Sequence, residues 1–172
     1  MRKINSIFIH HSASEFGNAK LINEWHKQQG WSGIGYHFVV LNGYSDSESY
    51  KKRNINNELI GLIEKGRDVK SIGSHVKGHN SNSIGICLIH DKELYTDKQL
   101  ENYRNLTASL VKYYDIQIEN VKGHYEVDKN KPFCPSLDMI VERELIKEKI
   151  PYIETELLNA LEMKYNLGTS VL

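Results

Sequence analysis

The apolar positions of this chain fall into short continuous runs separated by stretches of helical period, and that alternation predicts an α/β fold. A first run, Ile7-Phe8-Ile9, ends at His10 and His11, with Ser12, Ala13 and Ser14 marking the exit from a short buried strand. Asn18 stands where a helix N-cap belongs, ahead of a helix from about Ala19 to Gln29 that puts Leu21, Ile22 and Trp25 on one face and stops at Gly30. A second strand, Tyr36 to Leu41, runs into the turn signal Asn42-Gly43. From Tyr44 to Asn57 the residues are polar and read as a solvated inserted loop, or a partner-binding arm, before Leu59-Ile60-Gly61-Leu62-Ile63 resumes a strand pattern. The run Ser83 to Ile89 is apolar enough for burial on both faces and is the expected central strand. Thr96 with Gln99 forms a capping box for a helix to Tyr114, whose buried stripe is Leu100, Tyr103, Leu106, Leu110 and Val111. A last short strand, Val121-Lys122-Gly123, leads into His124. Leu137 to Lys149 reads as a helix, and Pro151 starts another through Asn166 with Ile153, Leu157, Leu158 and Leu161 inward.

Composition narrows this to one compact domain. With 172 residues and 40% hydrophobic content the chain buries a proper core, and 22 basic residues against 22 acidic ones leave no surplus charge to attract nucleic acid. No apolar run is long enough to span a bilayer, so membrane insertion is not expected, and Met1 to Asn5 leads into the first strand without a signal segment, which predicts synthesis in the cytoplasm. A monomer is the expected state. Cys87 lies inside the central apolar run and reads as a core residue, whereas Cys134 sits between Pro132-Phe133 and Pro135, in a loop that proline stiffens.

His10, His124 and Cys134 carry the candidate chemistry. Two imidazoles and a thiolate are a ligand set for a catalytic zinc with one position left for water, whose acidity the metal raises. Their spacing matches no local zinc motif, so the fold has to assemble the site, and each residue alone reads as an ordinary histidine or a core cysteine. Strand alternation puts His10 and His11 on opposite faces, so only one of them can enter a given site.

A wider pattern then becomes specific. Ile22-Asn23-Glu24-Trp25-His26-Lys27-Gln28-Gln29-Gly30-Trp31, then Gly35-Tyr36-His37-Phe38, then Gly73-Ser74-His75-Val76-Lys77-Gly78 with Asn80, Asn82 and Ser83-Ile84-Gly85, resembles the zinc amidases of the T-seven phage lysozyme type. These belong with the type 2 N-acetylmuramoyl-L-alanine amidases and share a fold with peptidoglycan recognition proteins. The resemblance runs from Ile7 to Leu137 and implies a single domain with a central, mostly mixed β-sheet flanked by helices. An amidase domain over residues 1–150 and an extra C-terminal helical extension over 151–172, packed on the same domain, are then expected.

What the resemblance implies about the site is definite. His10, His124 and Cys134 take the places of the metal ligands for Zn2+, with His11 at a variable position. Tyr36 and a lysine just ahead of the cysteine would stabilise the oxyanion; Pro132 occupies the family's lysine position in a slightly longer segment, so Lys131 is the substitute and Lys129 the second choice. His37, His75, Asn80 and Asn82 are the expected substrate contacts, and Glu126 is expected to be a surface or supporting carboxylate. The implied reaction is hydrolysis of the amide joining N-acetylmuramic acid to L-alanine in peptidoglycan, as in an endolysin that reaches the cell wall after release or secretion. The alternatives on the same fold are a non-catalytic peptidoglycan-binding module, which would lack a metal ligand, and a lysozyme-like protein that also binds a protein such as an RNA polymerase.

Overall fold

Five strands form one mixed sheet in the order β3-β2-β4-β1-β5. The computed structural model describes residues 2–168, so the last four residues of the expected 151–172 extension lie outside the described residues. The strands are β1 (Ser6–His11), β2 (Phe38–Asn42), β3 (Ile60–Lys65), β4 (Ser83–Leu88) and β5 (Val121–Gly123). β1, β2, β4 and β5 run parallel, and only the edge strand β3 is antiparallel, to β2. β4 is the middle strand and every residue in it is buried, as its unbroken apolar run requires when helices and loops cover both faces.

The two faces bury different partners. Ile7, Ile9, Phe38, Val40, Ile84, Ile86 and Leu88 face α3 (Asp97–Tyr114), which contributes Tyr103, Leu106 and Leu110 to the same core. Thr96 caps α3 by accepting from the Gln99 N–H at 3.1 Å. The expected reciprocal cap does not form, because the Gln99 amide turns inward and donates to the carbonyls of Val40 (3.1 Å) and Ile89 (2.9 Å). The Val40 carbonyl also accepts from Ile89 N–H at 2.9 Å, so it is the buried Ile89 carbonyl that most needs the Gln99 donor, and leaving it unpaired would cost more than a half-made cap. On the other face α1 (Ala19–Gln28), capped by Asn18 accepting from Leu21 N–H at 2.8 Å, lays Ile22 over Val39, Leu41, Cys87 and Ile89. Gly30 follows the helix with φ +82, the left-handed conformation that lets the chain leave it. Beyond the reach of α1, Phe8 lies under the 66–80 loop, against the rings of His75 and His79.

Three expectations change in detail. The polar stretch 44–57 is not an open loop: it holds α2 (Ser47–Lys51), closed by a reciprocal Asp46/Ser49 cap. Tyr50 and Arg53 tie it down by bonding Glu93 at 2.9 and 2.6 Å. The strand expected from Leu59 starts one residue later, after a 3-10 turn over Asn57–Leu59. At the C-terminus Pro151 sits in a 3-10 turn, Ile150–Tyr152, after α4 (Met139–Lys149), and the last helix, α5, begins only at Thr155 and ends at Tyr165. In this region Leu157 is 43% exposed while Leu158, Tyr165 and Leu167 enter the α3 core. Tyr165 meets Phe38 edge-on at 5.1 Å, and Tyr114 donates to the Leu167 carbonyl at 2.7 Å. No helix among the described residues is long and apolar enough to cross a membrane.

Candidate metal centre and active site

The sheet itself brings the site together. β1 pairs with β5 in parallel, Ile9 opposite Gly123, so His10 leaves β1 beside His124, which opens a 3-10 turn at the end of β5. Cys134 returns to the same point because its carbonyl accepts from Tyr125 N–H at 2.9 Å, and its own N–H donates to Lys131 O at 3.1 Å. The Nδ1 atoms of His10 and His124 stand 3.1 Å apart and Cys134 Sγ lies 3.9 Å from His10 Nδ1. All three donor atoms lie within 4.8 Å of one another, the one such histidine, cysteine or carboxylate grouping among the described residues. Zinc bond lengths in a tetrahedral site would set nitrogen pairs about 3.3 Å apart and nitrogen–sulfur pairs about 3.6 Å apart; the His10–His124 and His10–Cys134 separations lie within a few tenths of an ångström of these values, and the His124–Cys134 pair is bounded at 4.8 Å.

The donor set also asks for a cation. His124 turns Nε2 toward Asp128 Oδ2 at 3.6 Å, and the Asp128 carboxyl is held below the usual range chiefly by the backbone N–H of Asn130. An anionic acceptor favours the proton on Nε2 of His124 and leaves the lone pair on Nδ1. Nε2 of His10 is engaged at 3.2 Å by His75 Nδ1, so its Nδ1 likewise faces the cluster. Burial holds His10 far below the ordinary histidine value and lowers His124, so both rings are neutral, the form that ligates metal. Two lone pairs converging beside a sulfur repel unless a positive charge sits among them. Burial pushes the Cys134 thiol up to about 11, against the pull of the His11 N–H and the Lys131 charge; a cation would reverse that balance and make it a thiolate.

Tyr36 and Lys131 flank the cluster. The Tyr36 ring lies 5.1 Å from that of His10, and its hydroxyl is raised well above the ordinary phenol value by burial, then by the neighbouring Cys87 and Cys134 sulfurs, so it stays a proton donor. Lys131 is exposed, and its ammonium is near enough to depress His10, His124 and Cys134 alike. Together with His11, Phe133 and Cys134 it walls a cavity of about 510 Å3. Glu126 turns away from the cluster: it accepts from Gly123 N–H at 2.8 Å and pairs with Arg143 at 3.0 Å, a supporting role for the turn that carries His124.

The four expected substrate contacts are placed differently. His37 is fully buried, with Nδ1 accepting from Gly85 N–H at 2.9 Å and Nε2 facing Ser71 O at 3.2 Å, so it has no surface to offer a ligand. His75 is the ring behind His10 rather than a free donor. Asn80 spends its carbonyl oxygen on the N–H groups of His75 and Val76, at 2.8 and 2.9 Å, and so shapes the 73–80 loop. Asn82 is half-buried, precedes β4 and bonds Asn5, at the end of the sheet opposite His10. Polar residues in a motif read as ligand contacts until the fold shows that the backbone has claimed them. Asp128 escaped the sequence reading; its position four residues after His124, one turn away, was the available signal.

A mixed sheet with a histidine, histidine, cysteine cluster at the ends of its neighbouring parallel strands β1 and β5 defines an α/β protein with a candidate metal centre. Residues 1–136 match the N-acetylmuramoyl-L-alanine amidase family. The chain is 36% identical over 145 residues to the endolysin of Escherichia phage T7, covering 78% of this chain and 82% of that one. Among solved structures it is similar to the N-acetylmuramoyl-L-alanine amidase LysC from Clostridium intestinale URNW, at 30% identity and a TM-score of 0.67 over 87% of each chain. It is also similar to peptidoglycan recognition protein-LE in complex with tracheal cytotoxin, a monomeric diaminopimelic acid-type peptidoglycan, at 26% identity, a TM-score of 0.56, and 78% and 75% of the two chains. The chain belongs to the N-acetylmuramoyl-L-alanine amidase family and is an enzyme of that activity.

Proposed function

We propose that this amidase is zinc-dependent and acts on bacterial peptidoglycan, separating the glycan from the stem peptide at the amide between N-acetylmuramic acid and L-alanine, in the manner of an endolysin. The observation that carries the proposal is the convergence of His10 Nδ1, His124 Nδ1 and Cys134 Sγ. The similarity to a phage endolysin and to a recognition protein bound to a monomeric peptidoglycan supports the substrate class.

Zinc held by two neutral imidazoles and a thiolate would supply Lewis acidity, both to water and to the scissile carbonyl. The thiolate leaves such a centre with less positive charge than an all-histidine site, so donors from the chain matter more. Tyr36, held protonated, would donate its hydroxyl hydrogen toward the developing oxyanion, and the Lys131 ammonium, near enough to act on His10, His124 and Cys134, would stabilise the same charge. The Tyr36 hydroxyl would also pass a proton to the departing amine. The enzyme would reach its substrate after release from, or secretion by, the cell that makes it.

The test is stoichiometric zinc in the purified protein together with new L-alanine amino termini from purified peptidoglycan, measured beside Cys134→Ser and Tyr36→Phe. Cys134→Ser should lose zinc and activity together. Tyr36→Phe should keep zinc and lose roughly a hundredfold or more in rate, the range for a single oxyanion donor. Bound zinc with no amino termini released from several wall chemistries would overturn the catalytic reading in favour of a binding module.

A further inference from the structure

Behind His10 runs a file of polar groups that reaches neither solvent nor the reaction site. His10 Nε2 meets His75 Nδ1 at 3.2 Å, His75 Nε2 meets Ser83 Oγ at 3.4 Å, and Ser83 Oγ donates to the His79 carbonyl at 2.6 Å. All three side chains are buried: His10 is 1% exposed, His75 9% and Ser83 not at all.

We propose that His75, locked in one tautomer by Ser83, is the positioning residue that dedicates Nδ1 of His10 to the metal. The direction of the file follows from counting protons. A serine hydroxyl has one hydrogen, and the His79 carbonyl can only accept, so that hydrogen points to His79 and Ser83 Oγ presents a lone pair to His75. His75 must then carry its proton on Nε2. A neutral imidazole has one such proton, which makes His75 Nδ1 an acceptor. The His10 Nε2–H donates to it, and the only lone pair left on His10 is on Nδ1, aimed at His124 and Cys134. One carbonyl thus decides, through a file of three hydrogen bonds, which nitrogen of a residue at the end of β1 can bind metal.

The backbone is shaped to keep this file in place. The His75 ring lies in a slot between Gly73 and Gly85, where a Cβ on either glycine would come within 2.6 Å of its Cδ2. The His75 N–H is fixed by the Asn80 side chain at 2.8 Å. Gly73, Asn80, Ser83 and Gly85 thus all hold or border His75, while Gly85 also bonds His37 and Asn80 also bonds Val76 N–H. Supporting partners that orient a ligating histidine are worth about ten- to a hundredfold in metal affinity.

The inference rests on the metal reading above, and the experiment separates the two. Zinc affinity would be measured by competition with a chromogenic chelator for the wild type, Ser83→Ala, His75→Phe and His75→Asn. In parallel, nitrogen-15 NMR of the metal-free proteins would report the His10 tautomer. Asparagine places its Oδ1 where the imidazole carries Nδ1, so it restores the acceptor, while phenylalanine keeps the ring and removes it. We expect zinc affinity to fall about tenfold or more in Ser83→Ala and His75→Phe and to recover in His75→Asn. His10 should carry its proton on Nε2 in the metal-free wild type and on both nitrogens, in exchange, in Ser83→Ala. A far-ultraviolet circular dichroism melt shows whether each variant folds. Folded Ser83→Ala and His75→Phe that bind zinc as the wild type does would overturn the proposal, as would a wild-type His10 protonated on Nδ1. A wild type that binds no zinc sinks the metal reading instead, and the His10 tautomer then decides this proposal alone.

Discussion

His10 and His124, 114 positions apart in sequence, aim the same ring nitrogen at each other across 3.1 Å. Neutral imidazoles do not hold that arrangement on their own behalf, and the other nitrogen of each ring faces a partner on the far side, His75 at 3.2 Å or Asp128 at 3.6 Å. The relationship makes sense as a metal seat, and it makes the residues behind the ligands as consequential as the ligands.

Asp128 tests that view from the His124 side. Asp128→Asn keeps the volume and removes the charge that favours a proton on Nε2, and the residue is partly exposed, so the fold should survive. Zinc affinity is expected to drop about tenfold, with a smaller fall in rate at saturating zinc. Isothermal titration with zinc at neutral pH reads the outcome, and an unchanged affinity would show that His124 is oriented by the fold alone.

Lys131 and Lys129 can be told apart by rate. Because the Lys131 ammonium acts on His10, His124 and Cys134, Lys131→Ala should lose about a hundredfold in kcat with zinc still bound, and Lys129→Ala should stay within about threefold of the wild type. The opposite ranking would move the oxyanion donor to Lys129.

Acid should destabilise the protein through His37. Burial, then the Arg2 guanidinium, lowers its value to about 4, against 6.5 in the unfolded chain, so between these values the unfolded state binds the extra proton. Its contribution is therefore complete above about pH 6.5 and is lost as the pH falls toward 4, up to about 3 kcal/mol. Protonation would also expel the Gly85 N–H from Nδ1. The other buried histidines shift in the same direction, so the His37 share is read by difference. His37→Asn, compared with the wild type in urea at pH 7 and pH 4.5 in the presence of chelator, should be less stable at pH 7 and lose less on acidification. Equal losses in the two proteins would refute the assignment.

The C-terminal helix offers a test of packing. Leu158 is 3% exposed and Leu157 is 43% exposed, so Leu158→Ala should cost about 2–4 kcal/mol and Leu157→Ala under about 1 kcal/mol. Denaturant midpoints at constant slope distinguish them, and similar costs would mean that α5 is rotated from the position described.

The sequence pattern went far on elements and on chemistry, less far on second partners. The central strand, the α3 stripe and the Asn18 cap are local properties, set by periodicity and capping within a few residues, and they appear as the pattern predicts. Gln99 reads as a cap and instead serves two strand carbonyls, because the demand for a donor comes from the ends of β2 and β4 and leaves no mark near Thr96. His37, His75 and Asn80 read as ligand contacts for the same reason: a polar side chain shows its chemistry in the sequence but not which buried group will claim it.

By itself, the amino-acid order determined that this chain is an α/β domain, that His10, His124 and Cys134 carry ligand chemistry, and, through its motifs, that it resembles an amidase. Only the tertiary structure decided that the three meet, because the parallel pairing of β1 with β5 is a long-range contact whose register depends on the whole core. It also decided which ring nitrogen faces the cluster and that His75, Ser83 and Asp128 stand behind it. Hydrogen-bond direction is a property of groups in space, and buried groups take the partners that packing brings within reach, however far apart the chain holds them.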